Sequence, residues 1–179
     1  MEKIDIFRSA ILPLRHARVV NIGLYIWPLI EQGRFTDTQL HIKAKCADGS
    51  LRECTFSTDA DGQSPRVEFE AITNGLPLSR LANQLDSQIF RNDSDNSPPT
   101  SYEFYEAAIS DDLGAALQST ISDILFVHNA ENREEVICVV FVFNNQLRVW
   151  SGASAYGNIV AFSEKDFVWP FNVEYSSFF

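Results

Sequence analysis

The run Ser57-Thr58-Asp59-Ala60-Asp61-Gly62-Gln63-Ser64-Pro65-Arg66-Val67-Glu68 comes nearest to a motif with chemistry of its own. Asp59, Asp61, Gly62 and Glu68 fall at positions 3, 5, 6 and 12 of a calcium loop. Such a loop needs oxygen ligands at that spacing, a glycine for the sharp turn and a bidentate carboxylate at its end. Ser57 replaces the first acid, Ser64 stands where an apolar residue is usual, and the flanks alternate like strands. The run therefore reads as an Asp/Gly turn between strands, with Glu68 facing solvent, and no metal is expected. His16, His41 and His128 are isolated. Proton transfer needs a partner at hydrogen-bond reach, and local sequence supplies none, so all three read as structural or surface residues. Cys46, Cys54 and Cys138 are too few, and odd in number, for a disulfide framework. They read as reduced thiols acting as small hydrophobes. No nucleophile elbow, phosphate loop, dinucleotide fingerprint or paired Cys/His spacing occurs. Gly152-Ala-Ser154-Ala-Tyr-Gly157 lacks the lysine and following helix of a phosphate cradle and reads as a hairpin connection. Neither catalytic residue nor cofactor is expected.

Tyr102-Glu103-Phe104-Tyr105-Glu106 sets aromatics among acids. Tyrosine gives contact area at low entropy cost, and a carboxylate pairs with Arg or Lys, so the pattern suits a surface that meets a basic partner. Charge distribution points the same way. The chain carries a net charge of −10, while residues 1–58 alone carry +2 and residues 59–135 carry −11. A field of one sign steers oppositely charged partners and repels phosphate backbones. The residues expected to make that contact are Asp93, Asp95, Tyr102, Glu103, Tyr105, Glu106, Asp111 and Asp112.

The elements that must position them follow from periodicity. Apolar residues are 45% of the chain and charged residues 21%, ordinary globular values, and 179 residues suit a single domain. A strand is expected near 17–27. A helix or strand over 4–12 ends at Pro13. Gln39–Cys46 alternates, Asp48-Gly49 signals a turn and Leu51–Thr58 returns. Pairing Ile42 with Phe56, Ala44 with Cys54 and Lys45 with Glu53 makes one face apolar and the other ion-paired. Arg66–Ile72 alternates as a half-buried strand. Leu78, Leu81, Leu85 and Ile89 predict a helix over 77–90, and 91–100 reads as an exposed polar loop. Thr100 and Glu103 fit a capping box, and Leu113, Leu117, Ile121 and Ile124 continue an apolar stripe. A helix over 101–126 is the expectation. Val136–Phe143 is apolar on both faces, as a doubly covered strand should be. Asn144-Asn145 predicts a two-residue hairpin, followed by strands over 147–150 and 159–162. The predicted fold is α+β: a largely antiparallel, curved sheet with hairpins at about 39–58 and 135–152, packed against two or three helices.

Acids at Glu2 and Asp5 do not suit a secretory leader, and no apolar run reaches the ~18–20 residues of a membrane span. A cytoplasmic protein, off the membrane, is expected. Composition and charge together favour a non-enzymatic module that binds a basic protein and no nucleic acid. The analogy is an immunity or antitoxin protein that blocks a toxic effector such as a nuclease. The alternative is a small-ligand binder or enzyme whose pocket on the sheet is lined by Phe and Trp from 136–171. A third reading is a subunit that buries its aromatic C-terminus in an oligomer.

Overall fold

β-Branched and aromatic residues fill most of the alternating runs, and strands dominate the result. The structure is a computed structural model that describes residues 3–31, 34–58, 65–69, 75–81, 101–154, 157–169 and 171–178. Helix α1 (Lys3–Ile11) stops at a 3-10 turn holding Pro13, since proline cannot extend the helix. One sheet contains β1 (Arg18–Glu31), β2 (Arg34–Lys45), β3 (Leu51–Thr58), β4 (Pro65–Glu68), β5 (Leu76–Pro77) and β6 (Glu103–Glu106), in the order β4-β3-β2-β1-β6-β5. The other contains β7 (Ile121–Asn129), β8 (Asn132–Phe143), β9 (Arg148–Ser154), β10 (Gly157–Ala161) and β11 (Val173–Ser177), in the order β10-β9-β8-β7-β11. Among the described residues, all pairs are antiparallel except β5 with β6.

The α+β expectation is thus corrected. Among the described residues the protein is mostly β, with two large sheets and one substantial helix. Over 101–126 the expected helix is replaced by β6, a 3-10 turn at Leu113–Ala116 and β7. At its Ile121–Ile124 end the misleading spacing comes from a bulge. The register shifts between Ile121 and Asp123, so Ile121 pairs with Phe143 and Ile124 with Phe141 on one face. An extra residue changes the local repeat from two to three, which imitates helical spacing. Of the helix expected over 77–90, residues 79–81 are helical and residues 82–90 lie outside the described residues. The 91–100 loop also lies outside them.

The 39–58 hairpin forms with its register moved by two: Leu40 opposes Phe56, Ile42 opposes Cys54 and Lys43 opposes Glu53. A shift of two preserves the faces, and the cross-strand ion pair survives as Lys43 Nζ to Glu53 Oε2 at 3.0 Å. β8 is the middle strand of its sheet and is buried on both faces, as expected. The following hairpin has three loop residues, not two. Phe143 N–H donates to Leu147 O, and Gln146 takes the left-handed conformation at φ 70°, the three-residue alternative to the tight turn.

Inner faces of both sheets meet in one core. Ile22, Leu40, Ile42, Cys54 and Phe56 from the first sheet pack with Ile124, Phe126, Phe141, Phe143 and Val149 from the second. The outer face of the second sheet is covered by Phe167, with Trp169 and Phe171 packed alongside. Much of the C-terminal aromatic segment therefore packs on its own sheet, while Phe162 and Tyr175 remain over two-fifths exposed. The three cysteines are free and buried, with burial pushing the Cys54 thiol up to about 12.

Candidate functional site

Among the described residues, the outer face of the first sheet carries a grouping of polar and aromatic side chains that includes Tyr102 and Glu106. Cross-strand pairing arranges it in rows. Trp27 lies opposite Asp37; Tyr25 lies between Gln39 and Phe104; Gly23 lies between His41 and Glu106. Opposed residues in an antiparallel pair share a face. Gly23 is required there: a Cβ would come within 2.3 Å of Tyr105 O and 2.6 Å of the Phe104 ring. Its absence lets Phe104 lie across β1, with its ring 4.9 Å from His41 and steeply inclined to it.

Just before β6, Tyr102 reaches over this face. Its ring stacks on Tyr25 at 5.0 Å and meets Trp27 edge-on at 5.2 Å. Its hydroxyl donates to Asp37 Oδ2, and Gln39 Nε2 donates to the same oxygen at 3.3 Å. Burial, then the Asp37 carboxylate, push the Tyr102 hydroxyl above its ordinary range, so it stays a donor. Asp37 Oδ1 is buried and has no hydrogen-bond partner. A buried acceptor left unmade costs about 1–3 kcal/mol, more when charged. Three rings and one half-satisfied carboxylate thus stand together.

The strand conformation divides the predicted residues. Tyr102 and Glu106 belong to the outer face. Glu103 and Tyr105 point the other way, because successive strand residues alternate. Tyr105 is fully buried beside Ile26 and Leu81, and its hydroxyl donates to Glu103 at 2.5 Å. Tyr105 therefore offers no contact surface, which corrects its expected role. Glu106 accepts from Asn21 Nδ2 at 2.6 Å. Asp111 accepts from Ala108 N–H at 2.7 Å, and Asp112 opens the Leu113–Ala116 turn; both lie past the end of β6 away from Tyr102. Asp93 and Asp95 lie outside the described residues. Sequence reasoning missed Tyr25, Trp27 and Asp37. Asp37 is 65 positions from Tyr102, and only the pairing of β1 with β2 and β6 unites them.

Below this cluster His41 is nearly fully buried, with Nδ1 2.8 Å from Thr55 Oγ1 and Nε2 3.3 Å from Glu53 Oε1. Burial lowers its affinity for a proton below the ordinary 6.5, against the opposing pull of Glu53. The unfolded chain then binds the extra proton more readily, so stability is full above about pH 6.5 and declines as pH falls towards the folded value. Urea unfolding at about pH 7.5 and about pH 5.5 should show that loss, and His41→Gln should flatten it. An unchanged slope in the variant would assign the loss to other groups.

A concavity of about 580 Å³ lies at the β7–β8 turn between Asn129, Glu131, Trp169, Phe171 and Asn172. Its wall is chiefly polar, with Trp169 and Phe171 among the lining residues. Among the described residues, no group of three or more His, Cys, Asp or Glu is placed to hold a metal ion. Of the calcium-like run, Asp59, Asp61 and Gly62 lie outside the described residues, and Glu68 pairs with Arg66 at 2.5 Å. Among the described residues, no helix is long and apolar enough to cross a membrane. Compared with protein-family models, with curated proteins and with solved structures, the chain matches none.

Proposed function

We propose that the protein is a binding module for a basic protein, acting as an immunity or antitoxin protein acts on a toxic effector such as a nuclease. The observation that carries this reading is the grouping of Tyr25, Trp27 and Tyr102 around the Asp37 carboxylate. A guanidinium or ammonium group from a partner gains the rings as a cation–π surface and is drawn by the Asp37 carboxylate behind them. Tyrosine and tryptophan supply contact area, and a net charge of −10 speeds encounter with a basic molecule. Asp37, Tyr25 and Trp27 join Tyr102 and Glu106 as contact residues; Tyr105 leaves the set.

Salt-graded capture from the native host's lysate, or with products of neighbouring reading frames, tests the proposal. One basic protein should co-elute stoichiometrically and leave as salt rises. Retention of no protein at low salt would contradict the reading. The polar groove at Asn129 and Glu131 favours a second reading, a small ligand held before Trp169 and Phe171. Glu131→Gln should weaken that ligand and leave capture of a basic protein unchanged.

A further inference from the structure

At the far rim of the sandwich, two side chains that sequence keeps 48 positions apart meet. His128 on β7 has Nδ1 2.6 Å from Arg133 O and Nε2 2.6 Å from Ser176 Oγ on β11. A carbonyl can only accept, so Nδ1 carries the proton. Nε2 then presents its lone pair to the Ser176 hydroxyl, which donates. A serine bonded to an imidazole, whose other nitrogen is oriented by a third group, is the arrangement that activates a hydroxyl nucleophile. The backbone supports it separately. Register shifts flank His128 on both sides, between Val127 and His128 and between His128 and Asn129, and bulges re-aim side chains.

We propose that Ser176 is a nucleophile, with His128 as its general base, which accepts the acyl group of a small ester. The proposal does not rest on partner binding. Ser176 Oγ bonds to the acyl carbon while its proton passes to His128 Nε2. The bond from that carbon to the alcohol oxygen breaks, and His128 returns the proton to the departing alcohol. Water then attacks the acyl-serine, again through His128, releasing a carboxylic acid and restoring the hydroxyl. Arg8 of α1 lies over the Phe126 ring at 5.3 Å, and that ring meets His128 at 6.3 Å. The Arg8 guanidinium thus stands on the same rim as His128.

His128 is nine-tenths buried. Burial lowers its proton affinity most; Arg8 and Arg133 lower it too, while the Arg133 carbonyl and Glu174 raise it. Glu174 is itself paired with Arg133 at 2.6 Å. The imidazole is therefore the free base at neutral pH, and activity should fall only as pH drops below the ordinary histidine value of 6.5.

The test is p-nitrophenyl acetate with the whole chain, following p-nitrophenolate release and the acetylated mass. Ser176 should carry the acetyl group. Ser176→Ala should slow release by about 10²-fold or more, and His128→Gln by a comparable factor. Ser177→Ala should leave the rate unchanged, since Ser177 points to Asp123 at 2.9 Å. Equal rates in wild type and in a folded Ser176→Ala variant overturn the proposal. If His128→Gln fails to fold, that comparison still decides it.

Discussion

Phe141→Ala is expected to destabilise the protein by about 3–5 kcal/mol. Phe141 is completely buried on β8, and its ring meets Phe56 of β3 at 4.7 Å, so the contact joins the two sheets. Phe56 in turn touches Phe7 of α1 at 6.4 Å. Removing the ring leaves a cavity bounded by strands paired on both sides, which cannot collapse freely. A domain has only about 5–15 kcal/mol in total, and at this size each kcal/mol moves Tm by about 2–4 °C. The melting point should fall by roughly 6–20 °C. Phe69→Ala is the control: half its surface is exposed, and the change should stay within about 0.5 kcal/mol. A loss under about 1 kcal/mol for Phe141→Ala would mean the two sheets do not depend on this contact.

Asp37→Asn should separate function from stability. Asparagine still accepts from Tyr102 through its carbonyl oxygen, so the ring cluster stays in place. The buried, unpaired Oδ1 gives way to an uncharged amide nitrogen, and a neutral amide is cheaper to bury than a carboxylate. Stability should hold or rise. Affinity for a basic partner should fall by about 5-fold, because losing one charge close to a partner's cation costs about 1 kcal/mol. Urea unfolding and titration of the captured partner check the two halves. A destabilised variant with unchanged affinity would make Asp37 a fold residue and remove it from the contact surface. The pattern expected here, stability conserved while binding weakens, is that of a residue kept strained for function.

Elements with strict alternation were legible. Gln39–Thr58 reads as a hairpin because its apolar residues repeat every second position, and a register error of two leaves every side chain on its correct face. Val136–Phe143 reads as central because both faces are apolar. The stretch 101–126 misleads because Ile121 and Ile124 straddle a bulge and share a face three residues apart. Without the partner strand no local cue separates that spacing from a helix. Site residues divide similarly. Tyr102 stands out among neighbouring acids, whereas Asp37, Tyr25 and Trp27 join it only through pairing of distant strands. Ser176 carries no local signal, because its partner His128 comes from another strand. The strand alternation that buries Tyr105 also explains why a contiguous run of candidates could not all face one partner.

Hydrogen–deuterium exchange of the protein alone and in complex with its captured basic partner tests the central claim most directly. Protection is expected in peptides covering 25–27, 37–39 and 102–106, and it should weaken with added salt as the complex dissociates. Protection confined to the β7–β8 turn and Trp169, with those three segments unchanged, would contradict the account and place the contact at the polar groove.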